Sequence, residues 1–134
     1  MRPRFLLDTH VAVRWITAPK KLSDDQIRIL REAIRKSEPV ALSAVSLLEI
    51  AVVFGRATRR GESTADRILA ELGRSPAFQI EPFTIELAEE VATLGDVLRD
   101  PSDRAIVCTA RVCRLRLLTS DRRIIDSGLV PVIA

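Results

Sequence analysis

Short apolar runs alternate along the chain with longer segments in which apolar residues recur every three or four positions. The short runs are typical of buried strands, and the longer segments are typical of helices with one face toward a core. The predicted strands are Phe5-Leu6-Leu7, Val40-Ala41-Leu42, Phe78-Gln79-Ile80, Leu117-Leu118-Thr119 and an edge strand, Val130-Pro131-Val132-Ile133. Because strands and helices alternate throughout, we expect an α/β fold: a three-layer α/β/α sandwich with a central parallel sheet of about four to five strands.

Residues that start and stop helices separate these strands. The predicted helices are one capped by Thr9 and ended by Pro19, one capped by Ser23 and Gln26, one from about Ala44 to Phe54 ended by Gly55, one from about Ser63 to Leu72 ended by Gly73, one with Leu87, Val91, Leu94 and Leu98 on one face, one opened by Asp100, Pro101 and Ser102, and a short turn around Arg122–Asp126. No repeat, low-complexity tract or linker interrupts the alternation. We therefore expect a single domain over residues 1–134.

Composition adds an aliphatic core and a modest positive charge to this picture. Hydrophobic residues make up 47% of the chain and aromatic residues only 4%, which argues against a base-stacking platform for single strands. The net charge is +3, and all but three of the 21 basic residues are Arg, a side chain suited to bidentate phosphate contacts. This charge is compatible with an RNA substrate or an acidic partner and requires neither.

Cysteine usage and hydropathy favour a reduced, cytoplasmic chain. Cys108 and Cys113 have a spacing that fits no zinc pattern and are interpreted as ordinary core thiols. The N-terminal apolar run ends at Asp8, so no signal peptide is expected. No window of about 18 apolar residues is present, so we expect no membrane span.

Four acidic residues occupy related places in the predicted fold. Asp8 and Asp121 each follow a predicted strand, Glu49 lies on the helix after the second strand, and Asp103 opens the helix before the fourth. In parallel sheets, ligands bind beyond the carboxyl ends of the strands, where the strand order reverses. We therefore expect the four carboxylates to meet in one pocket.

A pocket of this kind predicts a metal site. Several carboxylates crowded together cannot all stay ionised without a cation, and Mg²⁺ or Mn²⁺ prefers such oxygen ligands. Taken singly, each acid also has a plain structural interpretation, because Asp often caps helices or stabilises turns and Glu49 can simply be solvated. His10 is interpreted as a residue in the first turn of a helix, near solvent.

The same residues carry a resemblance to a known family. The segments Leu6-Leu7-Asp8-Thr9-His10, Ser43–Ala51, Asp100–Ile106 and Leu118-Thr119-Ser120-Asp121 resemble, in order, the acidic motifs of PIN-domain ribonucleases, particularly the VapC-type toxins. The resemblance implies that Asp8, Glu49 and Asp103 bind the metal and that Asp121 completes the quartet. It also implies that the hydroxyls of Thr9, Ser43 and Thr119 orient these carboxylates. Asp100 is an extra acid near the pocket, with its role left open.

The resemblance further implies an activity and partners. It implies a Mg²⁺- or Mn²⁺-dependent endoribonuclease that cleaves RNA phosphodiesters with metal-activated water, acts as the toxin of a toxin–antitoxin pair, is inhibited by a small antitoxin and forms a homodimer. Arg56, Arg59 and Arg60 are candidates for contacts with RNA phosphates, or else form a solvated basic loop. Arg104 is a further candidate for RNA binding, or pairs with an acid of the pocket.

Other classes of function remain open from the residues alone. One is a catalytically inactive PIN-like scaffold that binds a partner. Another is a receiver-like module with an acid pocket, although such modules use a Lys late in the chain and no Lys follows Lys36. A phosphatase with an Asp nucleophile at Asp8 would be expected to carry a second Asp at position 10, which is His.

Overall fold

A computed structural model describes residues 2–55 and 63–134. The strands are β1 (Phe5–Leu7), β2 (Val40–Ser43), β3 (Phe78–Glu81), β4 (Arg116–Leu118) and β5 (Val132–Ile133). The helices are α1 (Thr9–Thr17), α2 (Asp24–Arg35), α3 (Ala44–Phe54), α4 (Thr64–Arg74), α5 (Ile85–Thr93), α6 (Pro101–Cys113) and α7 (Arg122–Ser127), with a 3₁₀ turn at Pro19–Lys21. All strand pairs are parallel, in the order β3-β2-β1-β4-β5. The predicted α/β sandwich is confirmed.

Side chains of the strands alternate between two cores. Leu6 pairs in register with Ala41 and Leu117, and all three are buried in the core on the α6 side. Leu7, Leu42 and Leu118 are the next residues along the same strands, and their side chains enter the core beneath α1 to α4. None of the described helices is long and apolar enough to cross a membrane.

Two helix ends differ from the prediction. α5 ends at Thr93 and does not continue to Leu98, because the chain turns at Gly95 with a positive φ of 69°. Leu98 is still buried, but it reaches the core from the connection between α5 and α6. Gly73 does not end α4, which runs on to Arg74 and is capped at Ser75.

The strand order places a switch point next to β1. β2 lies on one side of β1 and β4 on the other, so the connections that leave β1 and β4 diverge at the carboxyl edge of the sheet. Asp8 follows β1 directly, Ser43 ends β2, and Thr119 follows β4. This edge is therefore where side chains from distant parts of the chain meet.

Candidate active site

A cleft of about 500 Å³ opens at the carboxyl edge of the sheet. Its lining includes all four of the predicted acids and the additional acid of α6: Asp8, Glu49, Asp103, Asp121 and Asp100. Asp8 directly follows β1, Glu49 lies on α3, Asp100 and Asp103 lie at the start of α6, and Asp121 lies in the β4–α7 connection, so the acids are separated by up to 113 residues of sequence. The structure therefore brings these five side chains into one cleft.

Asp8 is the most buried of these acids and the most firmly held. Its side chain caps α1 by accepting a hydrogen bond from the backbone amide of Thr9 at 2.8 Å. Its other carboxylate oxygen accepts from Thr119 Oγ1 at 2.6 Å. Thr119 is fully buried, and its Oγ1 also accepts from the backbone amide of Asp121 at 3.1 Å. One hydroxyl thus connects the two acids that follow neighbouring strands.

A second pair of hydroxyls holds Glu49. Thr9 Oγ1 donates to Glu49 Oε1 at 2.5 Å and lies 2.8 Å from Ser46 Oγ. Because a hydroxyl has one hydrogen, Ser46 must be the donor to Thr9. Sequence reasoning missed Ser46, although it lies three residues before Glu49 and hence on the same helix face. Ser43 instead caps α3 by accepting from the Val45 amide at 3.1 Å.

Asp103 faces other carboxylates at the start of α6. Asp100 caps this helix by accepting from the Asp103 amide at 3.0 Å. Burial, together with the negative charges of Asp100, Asp8 and Asp121, raises the pKa of Asp103 to about 7. The raised pKa of Asp103 therefore reflects its burial and the negative charge of the neighbouring acids.

Within the part of the chain that the structure describes, Arg123, on α7, is the Arg or Lys side chain nearest to these acids. Its guanidinium lies 3.1 Å from Asp121 Oδ2 and 3.6 Å from Asp103 Oδ2. Asp121 also caps α7 through the Arg123 amide, at 2.9 Å, and its hydrogen bonds with the Arg123 side chain lower the pKa of Asp121. Sequence reasoning missed Arg123, whose only signal was its position two residues after Asp121.

Apart from the acids, the structure places His10 in the lining of the cleft and Arg104 outside it. His10 lies in the first turn of α1, half-buried, and its Nε2 accepts from the Ser120 amide at 3.0 Å. Arg104 does not contact the acids: its guanidinium donates to the carbonyls of Val91, Gly95 and Leu98 at 2.5–2.7 Å. The predicted pairing of Arg104 with an acid of the pocket is therefore wrong, because its guanidinium binds the carbonyls at the end of α5. Its contact with RNA stays a prediction. The predicted RNA contacts Arg56, Arg59 and Arg60 lie outside the described residues.

The donor chemistry of the cleft fits Mg²⁺ or Mn²⁺. Every acidic ligand is a hard carboxylate oxygen, and the like charges that raise the pKa of Asp103 are the charges a divalent cation neutralises. As the side chains stand, no three acidic, His or Cys groups within residues 2–55 and 63–134 are arranged to enclose an ion. Asp121 is turned toward Arg123, so its carboxylate would have to exchange this partner to become a ligand.

The pKa of Asp103 predicts how stability depends on pH in metal-free protein. The folded protein holds this proton up to about pH 7, whereas the unfolded chain loses it near the ordinary value of 3.8. Since the folded state binds more protons between these values, the free energy of unfolding falls as pH rises from about 4 to 7. We expect the midpoint of urea unfolding, measured in the presence of a chelator, to decrease over this pH range in the wild type. The contribution of Asp103 to this decrease should be absent in Asp103→Asn. Burial lowers the pKa of His10 and acts in the opposite direction, so the difference between the two proteins is the informative quantity. If the urea midpoints of the wild type and Asp103→Asn depend on pH in the same way, Asp103 does not have a raised pKa.

Two comparisons of the sequence with known proteins match most of the chain. The PIN domain family matches the chain over residues 5–128. The chain is 31% identical to Ribonuclease VapC22 of Mycobacterium tuberculosis (strain ATCC 25618 / H37Rv), over 89% of this chain and 88% of that protein.

Solved structures share the fold at lower identity. The crystal structure of VapBC2 from Rickettsia felis bound to a DNA fragment from their promoter superposes with a TM-score of 0.74 at 15% identity, covering 96% of each chain. A toxin-antitoxin complex from Klebsiella pneumoniae gives a TM-score of 0.67 at 20% identity, covering 97% of this chain and 96% of that one. These likenesses extend over the whole sandwich.

Proposed function

Because the chain belongs to the PIN-domain family, we propose that it is an endoribonuclease whose acid cleft holds Mg²⁺ or Mn²⁺. The observation that carries the proposal is the meeting of Asp8, Glu49, Asp103 and Asp121 in one cleft at the carboxyl edge of the sheet. The similarity to Ribonuclease VapC22 supports RNA as the substrate.

In this proposal, some residues of the cleft bind the metal and others orient the carboxylates that bind it. Asp8, Glu49 and Asp103 are the metal ligands, with Asp121 as the fourth acid. Thr119 and Thr9 fix the carboxylates of Asp8 and Glu49 by the hydrogen bonds described above. Bound there, a divalent ion supplies an activated water for attack on the phosphodiester and neutralises charge on the phosphate oxygens.

The test is cleavage of RNA by the purified chain. We expect cleavage with Mg²⁺ or Mn²⁺, no cleavage with a chelator, and recovery when the ion is returned. Retention of cleavage in the chelator would contradict the role of the metal. Absence of cleavage with either ion, in protein shown to be folded, would favour an inactive scaffold.

We further propose that the chain is the toxin of a toxin–antitoxin pair, acting in the cytoplasm on RNA. The similarity of its fold to VapBC2 and to a toxin-antitoxin complex supports a small protein partner. Both cysteines are free, as is usual in a reducing compartment. Co-expression with the product of a neighbouring small reading frame is expected to suppress cleavage, and failure of such a product to bind would count against the pairing.

A homodimer is proposed from apolar side chains left on the surface. Leu48 and Val52 are one turn apart on α3 and are 66% and 67% exposed, and Ile85 at the start of α5 is 81% exposed. We expect the wild type to sediment as a dimer and the double variant Leu48→Glu/Val52→Glu as a monomer. Ile34→Glu, at an exposed apolar position on α2, is the matched control and is expected to stay dimeric. A monomeric wild type at high concentration would contradict the proposal.

A further inference from the structure

The cleft extends well beyond its acids. Its volume of about 500 Å³ is many times the roughly 30 Å³ that one water occupies in the liquid, so a hydrated ion fills only part of it. Apart from Thr9, His10 and Arg123, which lie beside the acids, the remaining lining comes from the second half of α1, the 3₁₀ turn and the end of α3. It includes two cations, Arg14 and Lys21, and three apolar side chains, Val13, Val53 and Phe54. We call this part the basic end.

The charges of the basic end are available to a ligand. No ion pair within residues 2–55 and 63–134 involves Arg14 or Lys21. Arg14 lies one helical turn after His10, and its positive charge contributes to lowering the pKa of His10 after the larger effect of burial. The basic end therefore begins directly beside the acids.

From this arrangement we propose that the basic end binds the nucleotide next to the scissile phosphate. This inference rests on the proposed function. An RNA strand with one phosphate at the acids must carry its neighbouring phosphates out of a negatively charged region. Arg123 is already paired with Asp121 and Asp103, whereas Arg14 and Lys21 line the cleft beyond the acids. The Arg14 guanidinium offers a bidentate fork to a phosphate, whereas Lys21 supplies a point charge.

The apolar side chains define the form of RNA that fits. Val53 and Phe54 line the basic end together with the two cations. They offer one apolar contact for the face of a base, not the row of aromatic side chains that a base-stacking platform needs. A base can make this contact only when it is unpaired. The basic end thus selects a single-stranded segment, and its phosphate contacts make little distinction between sequences.

Paired variants test the proposal without requiring cleavage. In an Asp103→Asn background that leaves RNA intact, binding of a short, labelled single-stranded RNA of mixed sequence is measured by fluorescence anisotropy across a salt series. Arg14→Gln and Lys21→Gln are each expected to weaken binding about three- to tenfold at low salt and to reduce the salt slope by about one. Lys20 is next to Lys21 on the same turn but is not in the cleft lining, so Lys20→Gln is the matched control. It should leave the affinity for RNA and the salt slope unchanged. Arg14→Lys keeps the charge and should keep the salt slope, but it should lose the part of the affinity that the bidentate contact supplies.

Two results would overturn the inference. One is equal binding by Arg14→Gln, Lys21→Gln and Lys20→Gln. The other is weakened binding with an unchanged salt slope, which indicates a structural effect. Failure of the proposed function looks different: a wild-type chain that binds RNA through Arg14 and Lys21 but does not cleave it with Mg²⁺ or Mn²⁺.

Discussion

Asp103→Asn is expected to reduce RNA cleavage by about a thousandfold or more, the largest effect of any single substitution considered. The change removes a charged ligand at almost constant shape, and the metal's charge stabilisation of the transition state is worth several kcal/mol. Cleavage is measured at saturating Mg²⁺ or Mn²⁺. Asp8→Asn is expected to give a similar loss.

The free energy of unfolding of Asp103→Asn should not fall along with its activity. Burial and neighbouring carboxylates raise the pKa of Asp103, so its ionised form is unfavourable in metal-free protein. Asp103→Asn should therefore be at least as stable as the wild type in urea at pH 8 without metal. Asp126→Asn is the control, because Asp126 is exposed on α7 and pairs with Arg122. A fully active Asp103→Asn or Asp8→Asn protein would refute the assignment of the acids.

Thr119→Val is expected to weaken Mn²⁺ binding about 10- to 100-fold although Thr119 is not itself proposed as a ligand. The replacement has nearly the same shape but removes the donor to Asp8 and the acceptor for the Asp121 amide. Leaving buried polar groups without partners should also lower the free energy of unfolding by about 1–3 kcal/mol. Calorimetric titration measures the first effect and urea unfolding the second.

Two further variants separate orientation from general damage. Thr119→Ser keeps the hydroxyl and should restore most of the Mn²⁺ affinity. Thr109→Val removes another buried hydroxyl, which bonds only within α6 to the Ala105 carbonyl, and should leave Mn²⁺ binding unchanged. If Thr119→Val binds Mn²⁺ as tightly as the wild type, the hydrogen bond to Asp8 has no role in holding the metal.

The sheet and the gathering of acids could be predicted because they follow from local patterns. Apolar triplets such as Phe5–Leu7, each followed by a helix start signal, are typical of short buried strands between helices. Parallel strands deliver the residues that follow them to one edge of the sheet. Asp8 and Asp121 therefore had to lie near each other once β1 and β4 were neighbours. The simpler interpretation of Asp8 as a helix cap is also correct, and Asp121, interpreted as a turn residue, caps α7 as well. Capping helps to fix each carboxylate at this edge.

The remaining details depend on side chains that meet only in the folded chain. The apolar spacing of Leu87 to Leu98 predicts a longer α5, but Gly95 turns the chain and Arg104, from α6, satisfies the carbonyls left at the helix end. Nothing in the local sequence distinguishes this Arg from one that binds phosphate. In the same way, the contact of Arg123 with Asp103 depends on how α7 packs beside α6.

A crystal structure of the wild type grown with Mn²⁺ would show whether the four acids bind a common ion. Anomalous scattering should show an ion in the cleft, in contact with the carboxylates of Asp8 and Asp103, and crystals of Asp103→Asn should lack it. Wild-type crystals with no anomalous peak in the cleft, at a Mn²⁺ concentration that supports cleavage, would contradict the account.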